Sequence, residues 1–199
     1  MQKTIRVIVF VLLLAAAYTA CQRASEERRS EGAAPDSVTF VYNSLNDSIT
    51  RAWEDISSTE EGKLSDMKRL LEEISYTPSY NKVRYDSLWN HLQQVYALRF
   101  EAETMTSQQI DRYDSAVSRL QREVVDFART HPSFEQYPLM EKLSDNIEAA
   151  DQRTLFLRVR YDEFAREYND FLKGNQGRLI QPSDTALPLT ERPLFQLSE

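Results

Sequence analysis

Glycine is scarce in this chain, with 4 among 199 residues. So few swivel points suit long helices and argue against a loop-rich or all-β fold. Cysteine occurs once, as Cys21, so no disulfide can form within the chain and side-chain packing must stabilise the fold. Histidine occurs twice, as His91 and His131. A di-iron centre in a helical bundle needs a Glu-x-x-His pair on each of two helices. The residues three before these histidines are Leu88 and Ala128, so neither histidine is expected to hold a metal. A cysteine pair for haem attachment is missing, and so are a Gly-x-Ser-x-Gly elbow and a glycine-rich phosphate loop. No cofactor and no catalytic residue are therefore expected. Basic charge is also in deficit, 24 Lys and Arg against 31 Asp and Glu, a net charge of −7. Acidic neighbours such as Glu54-Asp55 and Glu72-Glu73 point to different sides of a helix and read as solvated faces rather than a carboxylate pair.

What is present starts with an export signal. Lys3 and Arg6 precede an apolar run from Val7 to Ala17, followed by Tyr18-Thr19-Ala20 and Cys21. A basic start, a short apolar core and a small residue before the cut mark a leader peptide. Counted from Val7 through Ala20 the run is 14 residues, against roughly 20 for a membrane-crossing helix. With Cys21 directly after the cut, residues 1–20 resemble a lipoprotein signal, which implies acylation of the Cys21 thiol. Tyr18 departs from that pattern, where such signals carry leucine. The alternative is an ordinary signal or short anchor with an incidental cysteine. Diacylation buries two chains, enough for stable anchoring. Removing Lys3 and Arg6 leaves 24 − 2 = 22 basic residues against 31 acidic ones, a net −9. That excludes nucleic acid as an expected partner and leaves the membrane to be reached through lipid rather than through charge.

Residues 21–36 read as the lipidated cysteine and a solvated tether without apolar periodicity. A helix is predicted from Asp36 or Ser37, with Val38, Val41, Leu45, Ile49, Ala52, Trp53 and Ile56 on one stripe. The stripe lapses over Ser57–Lys63 and resumes at Leu64, Met67, Leu71 and Ile74, which predicts a kink or break near Gly62 and an end before Thr77-Pro78. A second helix is expected from near Ser79 through Ala102, bearing Leu88, Trp89, Leu92 and Val95. A third follows a cap at Thr106 or Ser107 and stops at His131-Pro132. The fourth carries Met140, Leu143, Ile147, Ala150, Thr154, Leu157, Tyr161, Phe164, Tyr168 and Phe171 in alternating steps of three and four. That 3.5-residue period is a bundle seam, closed by Lys173 and a C′ glycine at Gly174. The fold expected is all-α: an elongated, antiparallel up-down four-helix bundle over residues 37–173, followed by an irregular, proline-containing tail over 174–199. At about 1.5 Å per residue its long helices span roughly 50–60 Å.

The fourth helix resembles the signature region of the LemA family. The residues that carry the likeness are His131-Pro132, Leu143, Ile147, Asp151-Gln152-Arg153, Arg158, Tyr161-Asp162 and Tyr168-Asn169, with twin pairs seven apart and no gap. In the first helix Asp47, Ile49, Ala52-Trp53 and Ile56 are similar to a second family pattern. The resemblance implies a long four-helix bundle held outside a bacterial membrane, with no established enzymatic activity. Several positions depart from it. Asp66–Leu71 lacks the family's proline, Asp162 stands for an asparagine, and Cys21 suggests lipid in place of a transmembrane anchor.

Trp53, Asp151, Arg158, Tyr161, Tyr168 and Asn169 are the candidate site residues. Tyr161 and Tyr168 are expected in the core with their hydroxyls at the bundle edge, and Asp151 and Arg158 in polar contacts with a neighbouring helix. The apolar tail residues Leu179, Ile180, Leu187, Leu189, Leu194, Phe195 and Leu197 either pack back along the bundle, which is favoured, or bind a partner in extended form. The function expected is a non-enzymatic interaction or structural module. Lipid would anchor it to the cell membrane or outer membrane, with other envelope proteins as partners. The rival is a small-molecule binder with a pocket near Trp53, Trp89 and Tyr161.

Overall fold

A computed structural model of the chain describes residues 37–175, 179 and 189–195. The expected signal at 1–20 and the tether with Cys21 at 21–36 lie outside the described residues. Among the described residues four helices follow one another: α1 (Ser37–Ser75), α2 (Lys82–Tyr96), α3 (Ser107–Arg129) and α4 (Pro138–Asn175), with one 3₁₀ turn at Phe134–Gln136. The protein is all-α, and no strand occurs among the described residues. Packing divides the chain after Val41, and every contact described below lies within Tyr42–Glu199.

The helix ends have local causes. Asn81 caps α2, its side chain accepting from the Arg84 N–H at 3.0 Å. Thr106 and Gln109 form a reciprocal capping box at the start of α3, satisfying two amides that a helix start leaves without partners. Pro138 opens α4, where its missing N–H is not needed. The buried imidazole of His131 closes α3 from below. Its Nδ1 accepts from the Ser133 N–H, while Nε2 lies 3.1 Å from both the Thr77 hydroxyl and the Ser79 carbonyl. Because Nδ1 accepts, the proton belongs on Nε2.

Three sequence expectations are corrected. α1 is continuous through Gly62, with no break. The apolar stripe lapses there because Glu60 and Lys63 take the buried positions and bond each other. α2 is shorter than its apolar pattern, ending at Tyr96, so Phe100 and Ala102 belong to the connection before α3. α4 runs through Gly174 to Asn175, so this glycine is helical and not a C′ cap.

Because α2 has 15 residues against 39 in α1 and 38 in α4, it covers only part of their length. The core accordingly forms two clusters. In the first, all four helices contribute: Leu64, Met67 and Leu71 of α1, Leu92 of α2, Leu120 and Val124 of α3, Leu143 and Ile147 of α4. In the second, Ile49, Ala52 and Ile56 of α1 meet Leu157, Tyr161, Ala165 and Tyr168 of α4. Ala102 and Met105 of the connection, Ile110 of α3 and Phe195 of the tail join them. Contacts descend along α4 as they climb α1: Tyr42 meets Tyr168, Trp53 meets Tyr161, and Lys63 meets Asp151.

Candidate functional site

Chemistry-bearing side chains gather in two places along α4. At the joint between the clusters lies a polar layer. The Lys63 ammonium, 2% exposed, donates to Glu60 Oε1 at 3.1 Å and to Asp151 Oδ1 at 3.2 Å. The Tyr113 hydroxyl donates to Glu60 Oε2 at 2.9 Å. Burial, reinforced by the Glu60 carboxylate, pushes the Tyr113 phenol far above the usual tyrosine range. Arg158 grips Asp114 with both Nη atoms, at 2.6 and 2.8 Å. Burial opposes the charge on Arg158, but the Asp114 carboxylate outweighs it and holds the guanidinium pKa above its ordinary value.

The second place is the face of α4 against which residues 189–195 lie. Phe195 inserts among Trp53 (6.1 Å between ring centres, nearly parallel), Tyr161 (5.4 Å, edge-on) and Phe100 (6.5 Å). The Arg158 guanidinium stands 4.7 Å over its ring, within cation–π range. Asp162 accepts the Phe195 N–H at 2.8 Å. Asn169 bonds Arg192 twice, donating to its carbonyl at 2.9 Å and accepting its N–H at 2.7 Å. The Arg192 side chain donates to Asn46 at 2.8 Å and Glu103 at 3.2 Å, and lies over the Tyr168 ring.

The six candidate residues thus separate. Trp53, Arg158 and Tyr161 surround Phe195. Tyr168 and Asn169 surround Arg192. Asp151 stands apart on Lys63. The described part of the tail packs back on the bundle, the favoured of the two expectations. Trp89 is not beside Trp53: it stacks on Tyr85 against the first cluster. Tyr168 is buried, and burial together with its hydrogen bond to Tyr42 pushes its pKa up to about 12. Tyr161 corrects the expectation of an edge hydroxyl. Its ring is fully enclosed and its OH has no hydrogen-bond partner among the described residues, and burial pushes its pKa up to about 12.

A cleft of about 270 Å³ opens beside Phe195, lined among others by Trp53, Glu60, Arg99, Phe100, Tyr113 and Arg158. Among its charged groups Arg158 pairs with Asp114, Glu60 with Lys63 and Arg99 with Glu61, and Glu101 also lines it. It therefore offers aromatic surface and hydrogen bonds more than a free proton-transfer pair. Among the described residues no cluster of three His, Cys, Asp or Glu is placed to hold a metal ion, and no helix is long and apolar enough to cross a membrane.

Three features escaped the sequence reading. Glu60 and Lys63 sit where the stripe lapses, and a buried pair of opposite charge three apart was the signal. Arg192 carried no cue. Leu155 and Phe156, each 68% exposed, and Val159, 53% exposed, are apolar residues of α4 off its seam, a departure visible in the sequence. Comparison with known protein families, with curated proteins and with solved structures returns no match.

Proposed function

We propose that this chain is a non-enzymatic helical-bundle lipoprotein of the LemA type, anchored through Cys21 and acting as a protein-interaction module of the cell envelope. The observation that carries the reading is the exposed apolar group Leu155, Phe156 and Val159 on α4. Large apolar side chains clustered in water mark a contact surface, and an aromatic among them is the usual anchor. The engagement of the motif side chains in holding the fold, Asp151 on Lys63 and Arg158 on Asp114, supports it further, because these groups serve structure rather than turnover.

In-cell photo-crosslinking from position 156 of the tagged full-length protein tests this. One envelope protein captured in near-stoichiometric yield from 156, and not from the exposed position Glu163, is the expected result. An intact, membrane-bound protein that crosslinks to nothing from 156 sinks the reading. The anchor has its own test: Cys21→Ser is expected to move the protein from the membrane to the soluble fraction.

A second reading has a specific observation behind it, the cleft of about 270 Å³ beside Trp53, near the lower end of small-molecule sites. In a Trp89→Phe background, saturable quenching of Trp53 by a small aromatic ligand supports a binder. A flat response across an aromatic library removes it.

A further inference from the structure

In the twin pairs Tyr161-Asp162 and Tyr168-Asn169, the Asp162 and Asn169 side chains hold the tail segment by its backbone. Asp162 and Asn169 are seven residues apart on a helix, about 10.5 Å at 1.5 Å per residue. The backbone groups they bond belong to Phe195 and Arg192, three residues apart. In extended or polyproline form three residues cover about 9–10 Å. The heptad spacing of the motif and the three-residue spacing of the tail segment in such a form therefore match. Asn169 supplies a donor and an acceptor to one residue, as a neighbouring strand does. Asp162 needs only to accept, so a carboxylate at that position does the work of an amide.

Selectivity comes from two side chains. The arginine at 192 is read by the Asn46 amide, the Glu103 carboxylate and the Tyr168 ring. The aromatic at 195 is read by Trp53, Phe100, Tyr161 and the Arg158 guanidinium. Between them Pro193 has no N–H to satisfy and a fixed φ, which lowers the entropy lost when the segment is ordered.

We propose that this face of α4 is a receptor for an extended Arg-Pro-x-aromatic segment of a second protein, with residues 189–195 of the same chain as its resident competitor. The chemistry of the resident defines that of the partner, since backbone bonds and two pockets recognise any segment with the same spacing. The site shares no residue with Leu155, Phe156 and Val159, so it stands or falls apart from the interaction patch proposed above. A segment tethered in cis acts at an effective concentration on the order of 1 mM. The partner is therefore expected to bind well only when it outcompetes the tail, or when the tail is weakened.

The experiment uses the full chain and a fluorescent peptide copying residues 189–199, followed by anisotropy. The peptide is expected to bind the Arg192→Ala, Phe195→Ala chain about a hundredfold more tightly than the wild type, the ratio set by about 1 mM of tail against an intrinsic Kd of about 10 µM. Adding Asn169→Leu to that chain is expected to abolish binding, with helicity by circular dichroism unchanged. Arg192→Ala alone keeps the aromatic anchor and carries the same measurement if the double variant unfolds. No peptide binding to a folded, tail-weakened chain overturns the proposal. So does binding that survives Asn169→Leu, and so does a wild-type dimer that exchanges tails, since the occupant is then a second copy.

Discussion

Replacing Lys63 by methionine keeps the length and the apolar stem of the side chain but removes its charge. In the native protein Lys63 is 2% and Glu60 7% exposed, with Nζ 3.1 Å from Glu60 Oε1 and 3.2 Å from Asp151 Oδ1. With an effective dielectric of about 20, the first contact alone corresponds to about 5 kcal/mol of gross attraction. Much of that offsets the desolvation of both ions, so the intact pair contributes little net stability. Breaking it is a different matter, because Glu60 is left buried with only the Tyr113 hydroxyl. The expected loss is about 3–5 kcal/mol, a large share of a typical total of about 5–15 kcal/mol. At about 2–4 °C per kcal/mol for a chain of this size, the Tm falls by about 6–20 °C. The double variant Glu60→Gln, Lys63→Met removes both charges while keeping an acceptor for Tyr113. It is expected to recover at least about 2 kcal/mol of the loss. Urea unfolding followed by circular dichroism, run as a double-mutant cycle, measures both numbers. A single variant that costs less than about 1 kcal/mol, or a double variant no better than the single, refutes the reasoning.

Tyr161→Phe is expected to be neutral or to stabilise by up to about 1 kcal/mol, because the deleted hydroxyl is buried without a partner; a loss above about 1 kcal/mol in urea unfolding contradicts that. Tyr161 and Tyr168 both have pKa values raised from 10.0 to about 12. A raised native value means that ionisation costs the folded state more than the unfolded one, so stability is unaffected below pH 10 and falls as pH rises toward 12. The two-unit gap corresponds to about 3 kcal/mol for the enclosed Tyr161 and to less for Tyr168, where solvent screens part of it, and urea midpoints measured across that window should fall, less steeply in Tyr161→Phe. Asn169→Leu deletes both bonds to the Arg192 backbone, about 1–3 kcal/mol of local stability, and should raise hydrogen exchange of the Phe195 amide. Asp162→Asn, which retains the acceptor, should leave that exchange close to wild type. Arg158→Lys loses the two-pronged bond to Asp114 and should destabilise by about 1–3 kcal/mol in thermal unfolding.

The helical architecture was legible because local information decides it. Apolar residues at steps of three and four, a cap at Thr106 or Ser107, and a proline after His131 act within one or two turns of chain, and α3 starts and stops close to where they say. The all-α fold and the long seam of α4 came from the same source. Misreadings fell where a distant group overrides a local pattern. Gly62 is tolerated inside α1 because the helix is held on both sides by core packing, and the polar lapse around it is a buried ion pair whose third partner, Asp151, is 88 residues away. Apolar periodicity could not say that α2 stops at Tyr96, since a connection buries Ala102 and half-buries Phe100 just as a helix would. Nor could it tell a tyrosine whose hydroxyl finds a partner from one, Tyr161, whose hydroxyl does not. Tertiary structure alone decided what the twin Tyr-Asp and Tyr-Asn pairs do. Their spacing is written in α4, but its meaning lies in the match to an extended segment more than twenty residues downstream, and hydrogen bonds between such segments leave no period in the sequence.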